Sequence, residues 1–203
     1  MDIVNLFPGS FASNCYLLLH QGDAAIVDPS APVKAILSAT AARGATLRYV
    51  LLTHGHFDHV LALDELRKEA NVPAYVHADD ADMLSDPQKN AFHSFFGVAR
   101  AWRAPDNVLS DGDTLSLGGE EIRILHTPGH SRGSACYLCN GEFLITGDTL
   151  FDGNVGRCDL YGGDMHALAR SLERLRSLPP HLPIYPGHGS ATTLGDALDR
   201  VLA

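Results

Sequence analysis

Several kinds of segment are missing from this 203-residue chain. It has 15 Lys and Arg against 24 Asp and Glu, a formal net charge of −9, and no basic cluster. This balance excludes binding to a phosphate backbone as the main task, because such binding depends on basic patches. No apolar run approaches the roughly 20 residues of a membrane helix, and the start lacks a basic, then apolar, leader pattern. We therefore expect a cytoplasmic protein without nucleic-acid or membrane partners, and a single domain over 1–203.

Cysteine is scarce, and its placement predicts no disulfide framework. The four cysteines are Cys15, Cys136, Cys139 and Cys158. Cys136 and Cys139 match the C-x-x-C spacing of zinc and redox sites. They lie, however, in a strand-like run that ends at an Asn-Gly turn, and residues three apart on a strand point to opposite faces. We therefore predict buried, apolar roles for both thiols.

The chain shows strands and helices in two similar halves, separated by an irregular region at 78–106. In each half, hairpins are followed by a helix, a strand and a helix. This order favours an αββα sandwich, with two β-sheets packed together and helices outside. The predicted strands are 15–19, 24–27, 47–53, 73–77, 114–117, 121–126, 135–138, 143–146 and 184–185; the predicted helices are 32–43, 60–69, 165–177 and 192–202.

The most informative segment follows the strand 47–53 directly. It reads Thr-His-Gly-His-Phe-Asp-His and contributes His54, His56, Asp58 and His59. Imidazole is the commonest metal ligand, and a carboxylate is its usual oxygen partner. Burying these groups together is costly unless a partner or a metal is present. The segment therefore predicts a metal site.

Three later turns share one design, in which an apolar strand runs into a glycine-flanked turn that carries a metal-capable residue. These residues are His130, Asp148 and His188. Glycine allows close approach of the backbone or a positive φ, and loops at the ends of rigid strands commonly present functional groups. Five imidazoles and two carboxylates exceed the needs of one tetrahedral ion and suit two ions.

These motifs resemble the metallo-β-lactamase superfamily, and within it the glyoxalase II-like hydrolases. The flanks Gly147-Asp-Thr-Leu-Phe151, Val155-Gly-Arg-Cys-Asp-Leu160 and Pro186-Gly-His-Gly189 are similar to the short bacterial branch of hydroxyacylglutathione hydrolase-like proteins. The resemblance implies the metallo-β-lactamase-type αββα sandwich of class α/β (α+β), with two mixed β-sheets. It also implies a hydrolase domain without the C-terminal helical region that helps full-length glyoxalase II to bind glutathione.

The resemblance further implies two divalent metal ions. One would be held by His54, His56 and His130, and the other by Asp58, His59 and His188, with Asp148 as the bridge. Zinc is the first expectation for these ligands, and iron or manganese suits the same set. A bridging water that loses its proton near neutral pH would attack the substrate carbonyl, with Asp58 as the catalytic group that orients it.

The expected activity is hydrolysis of a small-molecule thioester resembling S-D-lactoylglutathione, or of a related acyl substrate. A thiolate needs little protonation on leaving, and the motifs offer no obvious general acid. Three rivals stand beside it: a persulfide dioxygenase with mononuclear iron, a lactonase or β-lactamase, and a non-catalytic metal-binding protein.

Other residues carry two interpretations each. Arg157 either binds a substrate carboxylate or phosphate, or pairs with Asp159 or Asp164. Asp28 either bonds to a ligand histidine or has an ordinary turn role. Asn14 either caps a turn or faces the site. Three aromatic residues, Phe95, Phe96 and Trp102, either line a pocket or pack in the core, and core packing is the expectation. We expect structural roles for six histidines, His20, His77, His93, His126, His166 and His181. His126, next to the His130 turn, is also a candidate to support that ligand.

Overall fold

Alternation of apolar residues along the strands decides the architecture. In the strand Tyr16–His20, Leu17 packs into one buried cluster and Leu18 into another. Successive side chains of a strand point to opposite faces, so both faces of this sheet are covered. One face meets helices and the other meets a second sheet, which is the arrangement of an αββα sandwich. The fold class predicted from the sequence is therefore confirmed.

The computed structural model describes residues 1–9 and 11–202, so residues 10 and 203 of the predicted 1–203 unit lie outside the described part. The first sheet has six strands in the order β1 to β6, antiparallel as far as β3 and parallel from there. Its strands are β1 (Asp2–Asn5), β2 (Tyr16–His20), β3 (Asp23–Val27), β4 (Thr46–Leu51), β5 (Ala74–His77) and β6 (Asn107–Leu109).

The second sheet also has six strands, in the spatial order β12-β11-β10-β9-β8-β7. Only the β10–β11 pair is parallel, so both sheets are mixed. Its strands are β7 (Thr114–Leu117), β8 (Glu120–His126), β9 (Ala135–Cys139), β10 (Phe143–Gly147), β11 (Pro183–Pro186) and β12 (Thr192–Thr193).

The helices cover the two outer faces. They are α1 (Val33–Ala41), α2 (Leu63–Ala70), α3 (Phe92–Phe96), α4 (Met165–Leu175) and α5 (Leu194–Leu202), with one-turn 3₁₀ helices at Phe57–His59 and Ala78–Asp80. Residues of α1 and α2 pack on the first sheet, and residues of α4 and α5 on the second. None of the helices in the described residues has the length and apolar character needed to cross a membrane.

The two cysteines of the C-x-x-C match diverge as predicted. Cys136 packs in the cluster under α4 and α5, whereas Cys139 packs in the cluster between the sheets. All four cysteines are free thiols. Burial raises the pKa of Cys136 to about 11, which keeps this thiol protonated.

Three details of the predicted secondary structure were wrong. Thr192 and Thr193 were assigned to the last helix, but they pair with β11 as an edge strand, and the helix begins at Leu194. β-Branched threonines suit a strand better than a helix start. The helix predicted over 60–69 begins only at Leu63, after the 3₁₀ turn that carries Asp58 and His59. The strands β1 and β6 were not predicted.

Candidate metal centre

Four strands deliver the seven predicted ligands to one edge of the sandwich. The chain leaves β4 into His54, β8 into the turn of His130, β10 into Asp148, and β11 into the turn of His188. The sheet hydrogen bonds fix the ends of these strands relative to one another. Each ligand therefore sits on a short turn held by a rigid element, which favours a preorganised site.

One group of ligands is fully enclosed. His56 Nδ1 lies 2.8 Å from His130 Nε2, and His54 Nε2 lies 3.2 Å from the same nitrogen. These three histidines are at most 3% exposed. Their ligand atoms all fall within 4.8 Å of one another, the spacing of side chains that share one ion.

The second group faces the surface more openly. Asp58 Oδ2 lies 3.2 Å from His188 Nε2 and 3.9 Å from His59 Nε2. Asp148 stands between the groups: its Oδ1 is 3.3 Å from His59 Nε2, and its Oδ2 is 3.6 Å from His130 Nε2 and 3.7 Å from His188 Nε2. The structure thus brings all seven predicted residues together, in the two groups expected.

Hydrogen bonds on the outer side fix the orientation of three ligand rings. Nδ1 of His54 contacts Thr53 Oγ1 at 3.1 Å, Nδ1 of His59 contacts Asp28 Oδ2 at 2.8 Å, and Nδ1 of His130 contacts the Arg157 carbonyl at 2.7 Å. A proton on each Nδ1 leaves Nε2 as a lone-pair donor that points into the site. Metal-binding histidines commonly show this pattern.

Three buried polar atoms of the candidate ligands have no hydrogen-bond partner among the described residues: His56 Nε2, His59 Nε2 and Asp148 Oδ1. Leaving such atoms buried without a partner costs free energy. A cation held by His59 Nε2 and Asp148 Oδ1, which lie 3.3 Å apart, would satisfy these two atoms. The donor set of imidazoles and carboxylates suits a borderline divalent ion, so the residues present fit a metal.

The protonation states agree with that fit. Burial and neighbouring histidines lower the pKa of His56 to about 3 and hold the pKa of His54 well below its usual range. Burial acts to raise the pKa of Asp148, but His59 and the other histidines hold it well below its usual range. Burial likewise opposes charge on His59, yet three carboxylates, led by that of Asp148, raise its pKa. The carboxylates therefore attract positive charge, and a divalent ion would displace the proton on His59.

Comparison with known proteins agrees with this geometry. The family model described as "Metallo-beta-lactamase superfamily" matches residues 8–188. This chain belongs to that superfamily.

Individual members cover nearly the whole chain. The probable metallo-hydrolase YqgX of Bacillus subtilis is 35% identical, over 91% of this chain and 88% of its own length. The crystal structure of the B3 metallo-beta-lactamase BLEG-1 superposes with a TM-score of 0.91 at 32% identity, covering 98% of this chain and 97% of the other. The crystal structure of TTHA1623 in a di-iron-bound form superposes with a TM-score of 0.81 at 35% identity. The match covers 97% of this chain and 96% of the other. The chain therefore shares its fold and its superfamily with these proteins, one of which is described as a probable metallo-hydrolase.

A buried carboxylate and a buried amide hold two of the ligand turns in place. Asp28 accepts hydrogen bonds from Thr53 N at 2.8 Å and Thr53 Oγ1 at 2.7 Å and contacts His59. The first of its two interpretations, a bond to a ligand histidine, is what the structure shows. Asn14 turns away from the ligands: it donates to the carbonyls of Pro186 and Gly189 and so fastens the turn that carries His188.

Asp80 was not identified from the sequence. It is fully buried and accepts hydrogen bonds from Gly55 N at 3.0 Å, Ser131 Oγ at 2.7 Å and Gly133 N at 2.6 Å. It thereby ties the turn between His54 and His56 to the residues that follow His130. These partners are distant in sequence, so no local motif signals the role of Asp80.

Gly187 confirms the expectation of a close backbone approach. A Cβ atom at this position would lie 2.7 Å from His59 Cε1 and would overlap the carboxylate of Asp148. Any side chain there would push two ligands apart, so glycine is required beside His188.

A cavity of about 300 Å³ opens above the ligands. Five ligands line its base, and the side walls are mostly apolar. The wall residues are Phe11, Phe57, Ala91, Phe95, Phe151, Gly156, Arg157 and Leu160. Phe11 and Phe151 were not singled out from the sequence, because each belongs to a different loop and no periodicity links them.

The structure separates the aromatic residues of the 78–106 region. Trp102 is 4% exposed and packs in the core, as predicted. Phe95 is 47% exposed and lines the cavity, so the expectation of core packing was wrong for this residue. Phe96, 50% exposed, packs against Phe57 and Phe92 outside the cavity lining.

Arg157 and His126 make structural contacts. The guanidinium of Arg157 forms two hydrogen bonds with Asp159, at 2.6 and 2.7 Å, which is the pairing interpretation. His126 stacks on His77 with ring centres 3.9 Å apart and contacts the Arg132 carbonyl through Nε2. His77, Asp79 and His126 form a separate group with metal-capable atoms within 4.8 Å. The near-parallel rings, 9° apart, do not point both lone pairs at one ion.

Proposed function

We propose that this chain is a dinuclear metal-dependent hydrolase of thioesters, with an activity like that of glyoxalase II. One observation carries the proposal: seven candidate ligand side chains converge, five of them at the base of a cavity, and His59 Nε2 and Asp148 Oδ1 are buried among them without a hydrogen-bond partner. Enclosed, desolvated and preorganised polar groups of this kind are typical of a catalytic centre.

The two ligand groups would each hold one metal ion. His54, His56 and His130 form the first group, Asp58, His59 and His188 form the second, and Asp148 reaches both. Two bound ions would supply an activated water at neutral pH and a Lewis acid for the substrate carbonyl. Zinc is our first assignment, and the di-iron form of TTHA1623 makes iron the main competitor.

Asp58 is the residue that we assign to the chemical step. Its side chain is 19% exposed, it lines the cavity, and its Oδ2 lies within 3.2 Å of His188 Nε2. Burial acts to raise the pKa of Asp58, but His59 and His188 lower it, so the carboxylate is ionised at neutral pH. An ionised carboxylate at this place can accept a proton from the attacking water and orient it towards the substrate.

The cavity also indicates the leaving group. Among the described side chains that line it, Arg157 is the only titratable residue outside the ligand set. Arginine does not deprotonate in proteins and is therefore a poor general acid. A thiolate leaves without prior protonation, so a thioester suits this site better than an unstrained amide.

The proposal is tested on protein whose metal content has been measured. We expect hydrolysis of S-D-lactoylglutathione or of a simple acyl thioester, and a loss of about a hundredfold or more in kcat after Asp58→Ala. Asp79→Ala is the matched control, because Asp79 is an exposed aspartate outside the cavity. Unchanged thioester hydrolysis in the Asp58→Ala protein would refute the catalytic assignment.

A second candidate is β-lactam hydrolysis, favoured by the similarity to BLEG-1 over nearly the whole chain. A strained lactam nitrogen also needs less assistance on leaving than an ordinary amide. Side-by-side turnover of a thioester, a lactone and a β-lactam decides between the candidates. We expect the thioester to have the highest kcat/KM; a β-lactam that exceeds it would replace the proposal.

A further inference from the structure

The cavity above the ligands has walls of one chemical character. Phe11 comes from the β1–β2 loop, Phe95 from α3, Phe151 from the segment after β10, and Leu160 from the loop before α4. We call these four residues the aromatic wall. Phe11 is 72% exposed and Phe95 is 47% exposed, and exposed apolar side chains that cluster in a groove are typical of ligand-binding sites.

The ligand motif itself anchors this wall. Phe57, inside the His-Gly-His-Phe-Asp-His segment, is 3% exposed and packs against Phe95 with ring centres 5.4 Å apart and against Phe11 at 6.5 Å. On the opposite side, Phe151 meets the ring of His188 at 6.0 Å. The aromatic wall is therefore continuous with the metal ligands and borders the place where a substrate carbonyl must lie.

The one cation that lines the described cavity is already paired. Arg157 donates from Nε and Nη2 to the carboxylate of Asp159, and its Cζ lies 5.8 Å from the ring centre of Phe95. A substrate carboxylate, such as either of those in glutathione, would have to compete with Asp159 for Arg157.

The cavity is open to solvent, and its volume bears on the part of the substrate that lies inside it. At roughly 30 Å³ for each water-sized group, about 300 Å³ accepts on the order of ten non-hydrogen atoms. A thioester carbonyl with a short to medium apolar acyl chain has this size. Glutathione is larger and carries several charges.

We propose that the aromatic wall binds the acyl group of the substrate, so that this chain selects thioesters with apolar acyl chains of about four to eight carbons. This inference rests on the proposed thioester hydrolysis and names the substrate class for it. Phe11, Phe95 and Phe151 are its specificity-determining residues. The thiol half of the substrate lies outside the wall and contributes little to selection.

Two substrate series test the inference. In the first, acetyl, butyryl, hexanoyl and octanoyl thioesters share N-acetylcysteamine as the thiol. In the second, the hexanoyl group is kept, and the thiol is one of three alkyl thiols of similar acidity: N-acetylcysteamine, 2-mercaptoethanol or glutathione. We expect kcat/KM to rise about two- to fourfold per added methylene as far as hexanoyl, and to change less across thiols of similar acidity. A flat acyl series, or a stronger preference for glutathione than for chain length, would overturn it.

The wall residues are tested against a matched neighbour. Phe95→Ala should lower the hexanoyl-to-acetyl ratio of kcat/KM roughly tenfold, because the hexanoyl chain loses apolar contact equivalent to about two methylene groups. Phe96→Ala is the control, since Phe96 lies on the same helix with similar exposure but does not line the cavity. An equal fall in both variants would assign the effect to general loosening of α3.

A binding measurement separates this inference from the proposed function. Calorimetric titration of the metal-loaded protein with hexanoate and with acetate measures the affinity for each acyl chain without any turnover. Suppose that no thioester is hydrolysed, that hexanoate binds more tightly than acetate, and that Phe95→Ala abolishes the difference. Acyl binding by the aromatic wall is then supported, and thioester hydrolysis is refuted. If thioesters are hydrolysed without acyl preference and both acids bind with equal affinity, thioester hydrolysis is supported and acyl binding by the wall is refuted.

Discussion

The base and the aromatic wall of the cavity are held in place differently. The base consists of the seven candidate ligands, which are mostly buried and lie on turns at the ends of four strands. Asp28 and Asp80 fix it from behind through hydrogen bonds to the turns of His54 and His130. The residues of the aromatic wall instead lie on loops and on the short helix α3.

This difference assigns separate tasks. A metal requires ligand atoms fixed to within tenths of an ångström, which only rigid and fully satisfied surroundings provide. Substrate selection requires apolar area, which loops can supply and vary without disturbing the metal. We therefore expect changes in the base to abolish activity towards every substrate, and changes in the wall to alter only which substrate is preferred.

The largest effect should follow from removing the residue that reaches both ligand groups. Asp148→Ala should lower kcat/KM for all acyl thioesters by about a thousandfold or more and lower the bound metal per chain. The measurement is kinetics together with elemental analysis of the purified variant. If Asp148→Ala keeps its metal and changes only the acyl preference, the separation of base and wall is wrong.

A smaller effect is expected behind the base, at Asp80. Asp80→Asn keeps the shape but replaces one acceptor oxygen by a donor that faces Gly55 N, Ser131 or Gly133 N. We expect metal affinity to fall about ten- to a hundredfold, the usual cost of losing a residue that orients metal ligands. Competition with a chromophoric chelator measures this affinity. Asp79→Asn is the control, and equal affinities in the two variants would contradict the role of Asp80.

The contact between base and wall is tested at Phe57. Phe57→Leu leaves every ligand in place but removes ring contacts to Phe92, Phe95 and Phe96. We expect a loss of roughly 1–2 kcal/mol in the free energy of unfolding and a weaker hexanoyl preference, with unchanged metal content. Denaturant unfolding and the acyl series measure the two effects. A parallel loss of metal would show that wall and base are one unit.

The smallest effect concerns histidines outside both regions. Burial and the stacked ring of His126 lower the pKa of His77, whereas Asp79, Asp111 and Asp113 oppose that shift. The folded state then binds fewer protons than the unfolded state, so this contribution is present above about pH 6.5 and is lost as pH falls. His77→Gln should flatten the decline of Tm between about pH 7 and 5 without changing metal content. An unchanged pH slope would contradict this assignment.

The base could be predicted from the sequence more fully than the wall, for a physical reason. Ligand turns carry local signals: an apolar strand, a flanking glycine, and a histidine or aspartate. All seven candidate ligands were identified in this way, and the geometry brings their side chains together. Asp80 was missed because its partners are distant in sequence, and Phe11 and Phe151 were missed because aromatic residues on separate loops share no sequence pattern.

Prediction of the fold from the sequence was likewise limited to elements that have a local pattern. Long apolar strands and amphipathic helices were predicted, since their periodicity is local. The short strands β6 (Asn107–Leu109) and β12 (Thr192–Thr193) exist only through pairing with β5 and β11, at the edges of the two sheets. Three and two residues are too few for a periodic signal, so tertiary pairing decides them.

Titration of the metal-free protein with zinc, and separately with iron, tests the central proposal most directly. Thioester hydrolysis is recorded at each step against the metal added per chain. We expect hydrolysis to be absent without metal and to reach its plateau at two equivalents per chain, about one for each ligand group. A plateau at one equivalent, or full hydrolysis in the metal-free protein, would contradict a dinuclear centre.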